Sequence, residues 1–277
     1  MSAETVNQDL SGVAETMLAT LYLRAMESQR PDALSNDEKA VALVTQMSYN
    51  FDRVRQIPMS EANKLVIILR NREFDRYARD FMARHPEAVV VHIGCGLDTR
   101  FERVDNGKVE WYDLDFPHII EVRRKLIGDE RERYYLLGCS VLENAWLETV
   151  SAHHQCPFLF LAEGVSVYLE EAQVKWLVQT LRERFPGAEL VFDAFSPFHV
   201  WRSNLQLSFT KSDVRFHWGI WHGEEIEGWA EGIRLLDDWG FLDPPEPRLA
   251  RIRWLRHIPL VARSGRIYHF RLGKAAG

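Results

Sequence analysis

VVVHIGCGLDTRFERVDNGKVEWYDLDFP, residues 89–117, is the stretch from which the fold is read. Val89, Val90, Val91 and Ile93 form a short β-branched apolar run, the pattern of a strand covered on both faces in a parallel sheet. Gly94 and Gly96 follow at once, and glycine permits both a left-handed backbone and the close approach of a ligand. A second strand reads from Val109 to Tyr112 and ends in Asp113 and Asp115. An acid about twenty residues after such a turn is where a doubly wound α/β fold holds the two hydroxyls of a ribose. The stretch therefore predicts a nucleoside-containing cofactor.

What the turn lacks selects among such cofactors. A dinucleotide fingerprint carries a third glycine for close helix packing and sets a pyrophosphate over the helix N-terminus. Here the sixth position is Thr99, and Asp98 is expected to repel a diphosphate. Both features favour a nucleoside without phosphates, S-adenosylmethionine, over a nicotinamide dinucleotide. The plain alternative is a tight turn with no ligand.

GCGLDTR at 94–100, WYDLDFP at 111–117 and FLAEGVSVYL at 160–169 resemble the leucine carboxyl methyltransferase family, in its bacterial polyketide-type O-methyltransferase branch. The resemblance runs from about Asn36 to Phe195. It implies a doubly wound, seven-stranded, Rossmann-like methyltransferase sheet, S-adenosylmethionine as cofactor, and methyl transfer to a carboxylate or hydroxyl oxygen. It also implies cofactor contacts from Arg70, Gly94, Gly96, Asp115 and Glu163. Arg70-Asn71-Arg72 with Asp75 matches the segment from which an arginine grips the cofactor's carboxylate, a task that suits the guanidinium fork. A solvated helix face is the competing reading, because Arg76, Arg79 and Arg84 follow on the same helix. Glu163 matches the family's glutamate at the end of a central strand, where open α/β sheets bind ligands; a loop acid facing water is its alternative. One departure falls at Ser140-Val141, where the best-known members carry an acid–leucine pair against the adenine. Ser140 can still hydrogen-bond near the adenine amine, or it caps the helix expected to start near Glu143.

Before the first strand, helices read from Ser11 to Ser28, from Asn36-Asp37-Glu38 onward, and from an N-cap at Ser60 to a stop at Pro86. Residues 1–86 are thus expected to form a helical cap, and 87–277 the methyltransferase core. After the third strand, Tyr134 to Leu137, the fourth runs from Phe158 to Ala162 and the fifth from Leu190 to Phe195, with Asp193 near its end. Residues 196–228 are longer than an ordinary connection. They hold Trp201, Phe209, Phe216, Trp218, Trp221, His199, His217 and His222. They are expected to fold as an insertion over the acceptor pocket, with a satellite core or homodimer contact as the competing reading. Beyond them a helix is expected from about Glu224 to Trp239, with strands near Leu260 and from Ile267 to Leu272 closing an antiparallel hairpin.

The net charge of −6 gives no support to nucleic acid as a partner. Cys95, Cys139 and Cys156 lack paired spacing, and neither His92 near Cys95 nor His153 and His154 near Cys156 repeats a zinc pattern, so no metal is expected. MSAETVNQDL is not expected to act as a signal peptide, since it has no apolar core behind basic residues, and no apolar run reaches a membrane span, so the expected location is cytoplasmic, without membrane contact. A carboxylate acceptor arrives ionised and requires no base. A hydroxyl acceptor would call on one, for which His199, His217 and His222 are candidates; no catalytic residue is assigned. The leading expectation is an O-methyltransferase acting on a small-molecule acceptor, with methylation of a protein C-terminus a less favoured version. A nicotinamide-dependent oxidoreductase, and a non-catalytic cofactor-binding or regulatory protein of the same fold, are the alternatives.

Overall fold

The computed structural model describes residues 13–47, 49–55, 59–152, 157–208 and 214–274. The first ten residues, Ser11, His153, His154, Cys156 and Phe209, each part of an expectation above, lie outside them.

Helix α1 (Val13–Ser28) packs against α2 (Glu38–Gln46), whose buried N-cap Asp37 accepts from the Ala40 N–H. A short α3 (Asp52–Arg55) leads to α4 (Glu61–Arg84). Ser60 caps α4 as its sequence predicts, its hydroxyl accepting from the Asn63 N–H at 3.2 Å. Strand β1 (Val89–Ile93) is buried at every position, as expected of a strand with helices on both faces. Then come α5 (Arg100–Val104), β2 (Glu110–Asp115), α6 (Pro117–Leu126), β3 (Tyr134–Gly138), α7 (Ala145–Ser151) and β4 (Phe158–Ala162). A 3-10 turn, Ser166–Tyr168, precedes α8 (Glu171–Arg184) and β5 (Ala188–Phe195).

Helix α9 (Pro197–Ser208) and a short α10 (Glu224–Glu227) lie between β5 and β6 (Ile233–Gly240). Two 3-10 turns, Pro247–Leu249 and Arg253–His257, and the four-residue α11 (Pro259–Ala262) then lead to β7 (Gly265–Leu272). The sheet order is β3-β2-β1-β4-β5-β7-β6, with β7 antiparallel to both its neighbours. This is a seven-stranded Rossmann-like sheet, as predicted. The chain reverses direction across the sheet between β1 and β4, and such a switch point opens a crevice at the carboxyl ends of the strands.

Two expectations at the C-terminal end fail. The helix expected to reach Trp239 stops at Glu227, and residues 233–240 form edge strand β6. A register shift between Leu235 and Asp237 leaves Leu236 exposed and breaks the alternation that marks a strand. The strand expected near Leu260 is α11, because Pro259 sits at its first position, where proline favours a helix start.

Candidate cofactor and active site

The site begins at the carboxyl ends of β2, β1 and β4, which lie side by side in register, with Ile93 opposite both Leu114 and Ala162. One step beyond stand Gly94, Asp115 and Glu163. Gly94 and Gly96 have φ of +65° and +48°, the left-handed region. A methyl group on Gly94 would lie 2.3 Å from Val165 Cγ2, so conformation and space both require glycine there. The Gly94 and Cys95 N–H groups donate to the Leu114 carbonyl, and the Gly96 N–H donates to Asp115 Oδ2 at 2.8 Å. Asp115 is thereby fixed against the glycine turn. Burial raises its carboxyl pKa and outweighs the N–H groups of Gly96 and Phe116 that favour its charge.

Asp113, two residues earlier on β2, is structural. It is fully buried and accepts from Arg123 and from Tyr134 Oη. Burial alone would raise its carboxyl, but Arg123 and His92 override that and hold it at about 2. His92 Nε2 accepts a hydrogen bond from Arg100 Nη1 (3.0 Å), which puts its own hydrogen on Nδ1, facing Asp113 Oδ1 at 3.2 Å.

Arg70 projects from α4 to the ends of β4 and β5. Its Nε donates to Glu163 Oε1 at 3.0 Å and its Nη1 to Asp193 Oδ2 at 2.8 Å. Its Nη2 has no partner among the described residues and lies beside Gly164. Glu163 Oε2 also accepts from Arg100 and, at 3.3 Å, from Asn71. Burial would raise the Glu163 carboxyl; Arg70 and Arg100 more than compensate and lower it. At Asp193 burial prevails over Arg70 and the Gly164 N–H, and its carboxyl is raised.

The sequence reading of Asp98 is corrected here. Asp98 is buried, accepts from Asn71, and pairs with Arg100 Nη2 and Arg103 Nη1 at 2.9 Å each. Burial alone would raise its carboxyl, but Arg100 and Arg103 hold it well below the usual range. Its charge is spent inside the protein and does not itself repel a phosphate. Arg24, Arg70, Arg79, Arg100 and Arg103 interlock with Asp37, Asp75, Asp98, Glu163 and Asp193, five guanidiniums against five carboxylates. Asp115 then leaves the crevice with about one surplus negative charge, which favours a cationic ligand over a diphosphate.

Ser140 stands past the end of β3, where its hydroxyl accepts from the Leu142 N–H at 3.3 Å and its carbonyl from the Glu143 N–H. It shapes the turn into α7, which starts at Ala145. Two contributors were given no site role from the sequence. Asp193 anchors Arg70; it and Glu189 are the two acids of the mostly apolar strand AELVFDAF. Residues of helix α1 are the other. Arg24 donates to the Leu97 carbonyl, Met17 covers Gly96, and Thr16 hydrogen-bonds Tyr168.

Beside this crevice lies a surface cleft of about 500 Å³ lined by Glu170, Trp201, Asn204, Phe216, His217 and Trp218. The His217 N–H donates to the Val167 carbonyl, and Phe216 packs edge-on against Tyr168 at 5.5 Å, which ties the cleft to the loop after Glu163. The aromatic segment thus divides. Trp218 is buried in the main core with Ile220 and Ile226, whereas Trp201 is exposed. Of the candidate bases, His199 stacks on Phe195 and burial lowers its pKa. His217 Nδ1 is 2.8 Å from Glu170 Oε1, and His222 Nδ1 accepts from Arg263.

Residues 17–182 match the family model of leucine carboxyl methyltransferase. The chain belongs to this family. It is an S-adenosylmethionine-dependent methyltransferase, similar to its polyketide-type members. It is 35% identical over 237 residues to the tetracenomycin polyketide synthesis O-methyltransferase TcmP of Streptomyces glaucescens, covering 85% of this chain and 86% of that one. It is 26% identical to the S-adenosyl-L-methionine-dependent methyltransferase dpfgK of Gibberella zeae, over 92% of each chain. The fold matches a Thermobifida fusca structure described as a methyltransferase, with a TM-score of 0.62 at 16% identity, covering 96% of this chain and 97% of that one.

Proposed function

We propose that the protein is an O-methyltransferase that acts on a carboxylate or hydroxyl oxygen of a small acceptor of the secondary-metabolite kind. The observation that carries this reading is the alignment of Asp115, the Gly94–Gly96 turn and Glu163 at the ends of three adjacent parallel strands, with Arg70 behind them. S-adenosylmethionine fits the donor set. Asp115 would accept from the ribose hydroxyls. Arg70 Nη2, held in place by Glu163 and Asp193, would meet the methionine carboxylate. Glu163 serves first by orienting Arg70 and adds negative charge toward the ammonium. Ser140 would stand at the adenine edge through its exposed lone pairs, and the glycine turn leaves room for the nucleoside. The surplus negative charge suits a ligand that carries a sulfonium. Residues 1–86 would then act as the cap of this crevice and 87–277 as the core, with part of 196–228 forming the acceptor pocket.

When bound, the cofactor supplies an electrophilic methyl group; the protein's part is to align the acceptor oxygen in line with it and to exclude water. The cleft walled by Trp201, Phe216 and Trp218 suits a flat apolar acceptor. The test is transfer of labelled methyl to a panel of small aromatic carboxylic acids and phenols. Label that is released by mild base marks an ester and hence a carboxylate acceptor, and base-stable label marks an ether. No incorporation into any member, with the cofactor demonstrably bound, would exclude the small-molecule reading.

A further inference from the structure

Eight large apolar side chains are well exposed among the described residues, and six of them lie on two short segments. Phe198, Trp201 and Leu205 follow helical spacing along α9, with Trp201 60% exposed. Trp254, Ile258 and Leu260 lie in the connection before β7, with Trp254 61% exposed. The two segments meet where the Ser196 N–H donates to the Ser264 carbonyl, at the carboxyl end of β5 and next to the cleft.

Charge is distributed just as unevenly. Neither 197–208 nor 247–277 contains an aspartate or glutamate, in a chain of net charge −6. Arg202, Arg251, Arg253 and Arg256 have no carboxylate partner among the described residues, whereas Arg70, Arg100 and Arg103 are each held by two or more. Cationic and apolar side chains also interleave residue by residue, through Arg251, Arg253, Trp254, Arg256 and Ile258. Tryptophan and arginine are enriched at protein–protein interfaces too, so it is the set of guanidiniums without carboxylate partners, beside exposed apolar side chains, that calls for an anionic surface. Tryptophans set among guanidiniums that no described carboxylate holds match the headgroup layer of a bilayer, where the indole is half-solvated and each guanidinium meets a phosphate; Glu170 and Glu171 lie in the cleft beside Trp201.

We propose that the surface formed by residues 197–208 and 251–260 seats the protein peripherally on an anionic lipid bilayer, beside the mouth of its cleft. No helix among the described residues is long and apolar enough to cross a membrane, and the contact is one of side chains at the interface. The absence of membrane contact expected from the sequence concerned spanning segments, which leave such a surface undetected.

The experiment is sedimentation of the full chain with vesicles of phosphatidylcholine alone or of phosphatidylcholine mixed with phosphatidylglycerol. It needs no acceptor and so is independent of the function proposed above. Binding is expected to the mixed vesicles and to weaken with salt. The double variant Arg251→Gln, Arg256→Gln should lower partition about 30-fold, from roughly fivefold per guanidinium near an anionic surface. Trp254→Ala should lower it as well, and both variants should bind S-adenosylmethionine as the parent does, which shows that they are folded. No binding to the mixed vesicles overturns the proposal. So does equal binding to soluble polyglutamate that is indifferent to Trp254→Ala, which would assign the surface to an acidic protein.

Discussion

Arg70 is held at two of its nitrogens by Glu163 and Asp193, and this leaves one edge of a rigid fork for a ligand. Lysine can keep the charge but not the fork. Arg70→Lys should therefore retain most of the stability and weaken S-adenosylmethionine about 10- to 100-fold, the range for a lost charge-assisted hydrogen bond, as read by calorimetry. Arg70→Ala removes the one cation that, among the described residues, pairs with both Glu163 and Asp193. It should cost about 3–5 kcal/mol in urea unfolding as well as the cofactor site. Gly94 makes a separate demand. Gly94→Ala combines a left-handed φ with a methyl group 2.3 Å from Val165, and should lose about 1–3 kcal/mol. Adding Val165→Ala should recover only the steric part, since the backbone conformation is unchanged. Full recovery in the double variant would show that φ is not a constraint there.

At the scale of elements, Asp37 links the N-terminal helices to the glycine turn after β1. It caps α2, accepts from Arg24 of α1, and pairs with Arg103 and Thr99 beside the glycine turn. Asp37→Ala should destabilise by about 3–5 kcal/mol, because Arg24 and Arg103 both lose a buried partner. Equilibrium urea unfolding measures this, and a change below about 1 kcal/mol would mean that α1 and α2 are not tied to the glycine turn through this residue. The parallel half of the sheet was legible in the sequence because each strand is a short apolar run closed by its own turn, and Ser60 and Asp37 announce their helices as caps. The C-terminal part was not. The bulge in β6 hides its alternation, and Leu260 looks like a strand residue until Pro259 is weighed as a helix start. The site divides in the same way. Gly94, Gly96, Asp115 and Glu163 lie within recognisable motifs. The partnerships of Arg70 with Asp193 and of Arg100 with Glu163 span 123 and 63 residues, and no local pattern reports such distances.

For the molecule as a whole, acid should act through the buried carboxylates whose folded pKa is depressed. Asp113 and Glu189 are each held at about 2, Asp113 chiefly by Arg123, and Glu189 by Arg84 and His269 once the penalty of burial is overcome. Their unfolded values lie near 4, so their contribution is complete above about pH 4 and is lost as pH falls toward 2, with about 2 kcal/mol at stake for Asp113. Asp115 and Asp193, which are raised, act in the opposite sense, since their protonation on acidification favours the folded state. Burial lowers the pKa of His199, so stability should fall slightly as pH drops below about 6.5 and then steeply below about pH 4, and Asp113→Asn should be less stable at pH 7 with a shallower slope in the lower range. Equal slopes would remove Asp113 from this role. The most direct measurement is calorimetric titration of the purified chain with S-adenosylmethionine, S-adenosylhomocysteine and NAD, repeated on Asp115→Ala and Arg70→Lys. The expected result is binding of both sulfur compounds and not of NAD, weakened at least tenfold in each variant while the fold persists. Binding that is unchanged in both variants, or binding of NAD in place of the sulfur compounds, would contradict the assignment of this crevice as the cofactor site.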